Sequence, residues 1–139
     1  MGSMRRVVVT GIGVIASNGI GKDAFWEAIK AGKSGITTIT SFDPAAFACR
    51  FAGEVKDFHP EEYVEQKNIR RMDRTSLLGV AAAKMAVKDA GVDFSTNGGS
   101  ARTGVMIGTA MAGHGYIMDH YAKFLQRSEE HTSELQSQR

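Results

Sequence analysis

The sequence predicts an α/β fold, and three observations carry that reading. Two apolar runs, Val7–Val9 and Gly104–Gly108, are each closed by glycine. Two longer segments, Lys22–Ala31 and Arg74–Ala90, repeat apolar residues at helical spacing. Polar, turn-forming stretches separate these pieces.

Taken in order, Val7-Val8-Val9 is a continuous β-branched run, the pattern of a strand buried on both faces, and it ends at Gly11 and Gly13. Lys22–Ala31 follows as a helix with Phe25, Trp26 and Ile29 on one side and Gly32 as its stop. Ser34–Arg50 reads as loop, with Asp43-Pro44 as a turn signal and Cys49 near its end. Phe51–Val55 fits a short strand, and Pro60 opens a short helix through Gln66. Arg74–Ala90 is the clearest helix. Asp73 is its expected cap, and Leu77, Ala81 and Met85 with Leu78 and Ala82 form its apolar side. Ala81, Ala82, Ala83 and Ala86 keep it slim enough for close packing, and Gly91 ends it. Ser95–Ser100 is a polar, glycine-rich loop, Thr103–Thr109 a second buried strand, and Tyr116–Leu125 a last helix after a turn at Gly113 and Gly115. No internal repeat is present. Strands that are apolar on both faces need neighbours and helical cover that these elements do not supply, so the expected core is unfinished.

The 139 residues suit at most one domain, and 42% hydrophobic with 23% charged residues matches an ordinary globular chain. No stretch approaches the roughly 20 apolar residues of a membrane span. The Met1–Arg6 start has basic residues but only Val7–Val9 behind them, too short for a signal-peptide core, and Arg6 breaks the myristoylation pattern. A single cysteine, Cys49, excludes an internal disulfide and fits a reducing compartment. The expectation is a soluble cytoplasmic protein without a membrane partner.

The net charge of +2 is unevenly placed. The segment 127–139 carries two Arg and three Glu, which leaves +3 on the rest. Lys67, Arg70, Arg71 and Arg74 against Asp73 account for all of that excess. Such a local patch points to an acidic partner, and with only Tyr63 as a nearby aromatic and no recognition motif, nucleic acid is the weaker candidate. Arginine and lysine suit the carboxylates and phosphates of an acidic protein at least as well.

Residues 127–139 form a polar run with Leu135 as their one apolar side chain. Their composition fits a disordered tail. Arg127–Ser137 also reads as the translation of a common sequencing-adapter oligonucleotide, so the expectation is a native segment 1–126 followed by a non-native, disordered tail. His131 and the three glutamates there receive no functional reading.

Three further motifs resolve to structural roles. Gly11-Ile-Gly13-Val-Ile-Ala16 matches the dinucleotide fingerprint, but loop residues Ser17–Gly21 stand where the helix should open, and Lys30–Thr37 holds no acid for a ribose. A tight glycine turn is the better reading. Cys49, between Ala48 and Arg50, reads as a semi-buried structural thiol rather than a nucleophile. His59, His114 and His120 have neither metal-site spacing nor acidic company.

Taken together, RRVVVTGIGVIAS (5–17), FWEAIKAGKSGI (25–36), FDPAAFACRFAGEVKDF (42–58), RRMDR (70–74) and TGVMIGTAMAG (103–113) resemble the β-ketoacyl-acyl-carrier-protein synthases, nearest the synthase II type. The likeness covers residues 4–126 in order and spacing. It implies a thiolase-like fold layered α-β-α-β-α, of which only the amino-terminal portion is present, and a homodimer when complete. It implies an acyltransferase of fatty-acid synthesis, which condenses an acyl thioester with malonyl-carrier protein and loses carbon dioxide. No cofactor or metal is implied. The family's nucleophilic cysteine and its two histidines fall beyond the matching region, so no catalytic residue is assigned, and Cys49, His59, His114 and His120 do not replace them. Two sites carry over: Lys67, Arg70 and Arg71 fall on the surface that meets the acidic carrier protein, and Met111 on a residue that gates the acyl pocket. Ala110 and Ala112 depart from the glycines common beside that residue. Within the same fold, a polyketide ketosynthase or its non-catalytic chain-length partner is the alternative. A basic binding module without catalysis is the alternative of another class.

Overall fold

The structure, a computed structural model, describes residues 6–95 and 100–137, with only the backbone of 128–137. Residues 1–5 and the 96–99 part of the polar loop lie outside the described residues. The class is mixed α/β. A two-residue turn at Ser17-Asn18 joins β1 (Ile15–Ala16) to β2 (Gly19–Ile20), antiparallel with Ile15 opposite Ile20. Helix α1 (Lys22–Lys30) follows, then β3 (Thr37–Thr38), which pairs antiparallel with β4 (Phe51–Ala52). A 3₁₀ turn at Pro60–Glu62, the short α2 (Gln66–Ile69), the long α3 (Arg74–Ala90), a second 3₁₀ turn at Ser100–Arg102 and α4 (His114–Ser137) complete the chain.

The caps explain the helix limits. Asp73 accepts hydrogen bonds from the backbone N–H of Thr75 and Ser76 and from the Ser76 hydroxyl, so α3 starts where its cap stands. The Ser76 hydroxyl, above all, holds the Asp73 carboxyl below its ordinary range. Gly91 ends α3 in the left-handed region at φ 62°. Gly32 does the same for α1 at φ 64°, and Lys33 N–H reaches back 2.8 Å to the Ala28 carbonyl.

Segment 11–13 crosses α3 at van der Waals range of its backbone. A methyl group at Gly13 would stand 1.9 Å from the Ala82 carbonyl oxygen, and one at Gly11 2.2 Å from that of Ala86. These glycines, on a helix slimmed by alanines, are what the fingerprint motif is for. Asp89 locks the crossing by accepting from Ile12 N–H at 3.0 Å and from the Lys22 ammonium on α1. The Lys22 contact, then Ile12, lowers the Asp89 carboxyl, and Asp89 in turn raises Lys22.

Several expectations change. Neither Val7–Val9 nor Thr103–Thr109 pairs as a strand among the described residues. Val7, Val9, Val105 and Met106 are 83–98% exposed. A strand exists by pairing with a neighbour, and neither run finds one. On α1, Ala28 is buried and Phe25 half-buried, whereas Trp26 and Ile29 stay exposed, because β2 covers only the Phe25–Ala28 side. Leu77 and Ala81 of α3 are buried as expected and, with Ala28 and Val64, make up the buried apolar core among the described residues. Helix α4 begins at His114 and continues past the expected end at Leu125 through Ser137. Residues 116–137 contain no Gly or Pro, and Glu, Gln and Leu are good helix formers, so a started helix meets no stop. No described helix is long and apolar enough to cross a membrane.

Candidate functional site

The basic run is presented by a short piece of chain anchored from below. Val64 is buried, and Ile69 and Met72 are half-buried, which leaves Lys67 on α2, Arg70 at its end and Arg71 in the following turn exposed. The four cations of the run do different things. Arg74 stays exposed, donates 2.6 Å to the Val55 carbonyl and lies 6.0 Å over the Phe58 ring, which itself stacks on Tyr63. It fastens the 55–63 loop to α3 from the surface. Lys67 pairs with Glu65 at 2.7 Å in full solvent. Arg70 and Arg71 have no ion pair among the described residues. The structure therefore brings together all three predicted docking residues but leaves the free charge on the two arginines.

Met111 is 69% exposed and lines an open crevice of about 360 Å³ with Asp73, Thr75, Gly113, His114 and Asp119. The crevice lies where α3 and α4 both begin. Tyr116 and the two glycines Gly113 and Gly115 share the lining with its polar groups, and the crevice is open to solvent.

Cys49 is exposed, not semi-buried, and its thiol donates to the Phe51 carbonyl at 3.5 Å. The adjacent Arg50 turns away and donates to the carbonyls of Phe47 and Ala45. Among the described residues, no base or cation bonds to the thiol. His59 faces Glu61 at 3.3 Å, and His120 packs 4.2 Å from the Tyr116 ring. Among the described residues, no group of His, Cys, Asp and Glu could hold a metal.

One polar centre was not legible beforehand. Glu54 accepts from Thr40 N–H and hydroxyl at 2.9 and 2.8 Å and from Ser41 N–H at 2.9 Å, with Lys56 at 3.9 Å. Hydrogen bonding from Ser41 and then Thr40 holds its carboxyl at about 2. It staples the two ends of the β3–β4 excursion together. The only sequence signal was an acid inside a predicted strand, which marks nothing by itself.

The family model described as "Beta-ketoacyl synthase, N-terminal domain" matches residues 4–138. The 3-oxoacyl-[acyl-carrier-protein] synthase 2 of Vibrio harveyi is 43% identical over 111 residues, which are 80% of this chain and 26% of that protein. The synthase 2 of Synechocystis is 37% identical over 123 residues, 88% of this chain and 29% of that one. Among solved structures, the ishigamide ketosynthase/chain length factor superposes with a TM-score of 0.62 at 42% identity, covering 67% of this chain and 23% of that chain. The chain thus spans between a quarter and a third of the length of these curated relatives.

Proposed function

Because the chain belongs to the β-ketoacyl synthase family through that amino-terminal domain, we propose that it is the carrier-facing portion of a β-ketoacyl-acyl-carrier-protein synthase. The reaction is the decarboxylative condensation of an acyl thioester with malonyl-carrier protein in fatty-acid elongation, and the working enzyme is a homodimer. Lys67, Arg70 and Arg71 dock the acidic carrier protein and so deliver its phosphopantetheine arm. Met111 gates the acyl pocket of the assembled enzyme. The nucleophile and the oxyanion donors belong to other parts of such an enzyme, and residues 127–139 take no part.

The observation that carries this reading is the exposed cationic segment 67–71 on a buried anchor, within a chain 43% identical to a synthase 2. Exposed cations steer an acidic partner at long range and add little each at contact. The test is a chimaera in which residues 6–126 replace the matching segment of the Vibrio harveyi synthase. It is expected to condense acyl- and malonyl-carrier protein, and to lose carrier-dependent turnover several-fold when Lys67→Glu and Arg70→Glu are combined. A folded dimeric chimaera without condensation would overturn the assignment.

A second reading has its own support. The likeness to a ketosynthase/chain length factor favours a polyketide synthase pair, in which one member lacks the nucleophile. Condensation by the chimaera with fatty-acid carrier protein but not with a polyketide carrier protein rejects it.

A further inference from the structure

Beside the exposed arginines lies a groove of about 410 Å³. It runs between the 63–72 segment and α3. Its floor is apolar: Val64 is buried, and Met72 and Val80 are half-buried. Its rim is cationic, with Arg71 on one bounding element and Lys84 on the other. Lys84 is fixed in place by donating to the Tyr63 carbonyl, which leaves its remaining ammonium protons for a partner. The one acid on the rim, Glu65, is offset by Lys67. An apolar slot between a fixed Lys84 and a free Arg71 fits a definite chemistry. An apolar side chain inserts, and carboxylates on either side of it meet Arg71 and Lys84. An acidic amphipathic helix presents that arrangement, and a flexible polyanion does not.

We propose that this groove receives an apolar side chain from the acidic helix of the carrier protein, with Arg71 and Lys84 holding the flanking carboxylates. The inference rests on the carrier-docking reading and adds to it a hydrophobic anchor and a cation, Lys84, outside the basic run. In this arrangement Lys67, already paired, contributes least.

The test uses the full chain and a fluorescein-labelled acyl-carrier protein, with polyglutamate as the probe that supplies charge alone. Asn68 is exposed on the groove rim, so Asn68→Phe fills the slot without disturbing the core. It is expected to weaken carrier binding about tenfold, the worth of one buried apolar side chain, and to leave polyglutamate binding unchanged. Lys84→Met keeps the apolar stem and is expected to weaken both probes. Equal helical circular dichroism in the variants shows that the fold is retained. If Asn68→Phe leaves carrier binding intact while Arg70→Glu with Arg71→Glu abolishes it, the groove is not engaged and the docking surface stands. If neither change affects carrier binding, both readings fall.

Discussion

Replacing Gly13 by alanine tests whether the glycine motif exists for packing. The added methyl would meet the Ala82 carbonyl oxygen at 1.9 Å and the Ala86 nitrogen at 2.8 Å, both helix backbone atoms. Relief therefore requires segment 11–13 to lift from α3 by an ångström or more, which strains the Asp89 bond to Ile12 N–H. Overpacking of this kind costs roughly 1–3 kcal/mol, and an immovable backbone puts it at the upper end. The buried apolar core consists of four side chains among the described residues, so such a loss approaches the whole stability a small core supplies. Gly79 on α3 is the matched control. A methyl there meets nothing within 4 Å, and Gly→Ala inside a helix stabilises by roughly 0.5–1 kcal/mol. Urea unfolding followed at 222 nm should move to lower denaturant for Gly13→Ala and to higher denaturant for Gly79→Ala. Unchanged unfolding of Gly13→Ala would show that 11–13 does not pack on α3, and the reasoning fails.

Two other expectations are read from single side chains. The Glu54 carboxyl is depressed from 4.5 to about 2, so its stabilising effect is complete above the ordinary value and disappears as pH falls from about 4.5 through about 2. Glu54→Gln should lower the urea midpoint at neutral pH and flatten that acid limb; an identical pH profile in the variant contradicts the assignment. Cys49, exposed and with no base or cation bonded to it among the described residues, should form no stable acyl adduct with acyl-carrier protein; an adduct found by mass spectrometry and removed by Cys49→Ala would make it a nucleophile after all.

What the sequence determined by itself was local. Asp73 as cap, Gly91 as stop and the alanine-rich face of Arg74–Ala90 are settled within one or two helical turns, so spacing alone finds α3. The outward cations of 67–71 were legible for the same reason, since inward Val64, Ile69 and Met72 alternate with them along a short stretch. The resemblance to the synthases was also carried by strings of neighbours. Tertiary structure decided everything that depends on distant partners. Val7–Val9 and Thr103–Thr109 have the composition of buried strands, but a strand is defined by the chain beside it, and none pairs with them among the described residues. The glycines of 11–13 look like a nucleotide loop until α3, some seventy residues later in the sequence, is seen against them. Arg74 reads as one more surface cation, and only the fold shows that it also ties the Val55 carbonyl and the Phe58 ring to α3. Lys84 lies on a helix far from the basic run in sequence and beside it in space. Pattern reports the surface a residue can offer, and only the folded chain supplies the group that meets it.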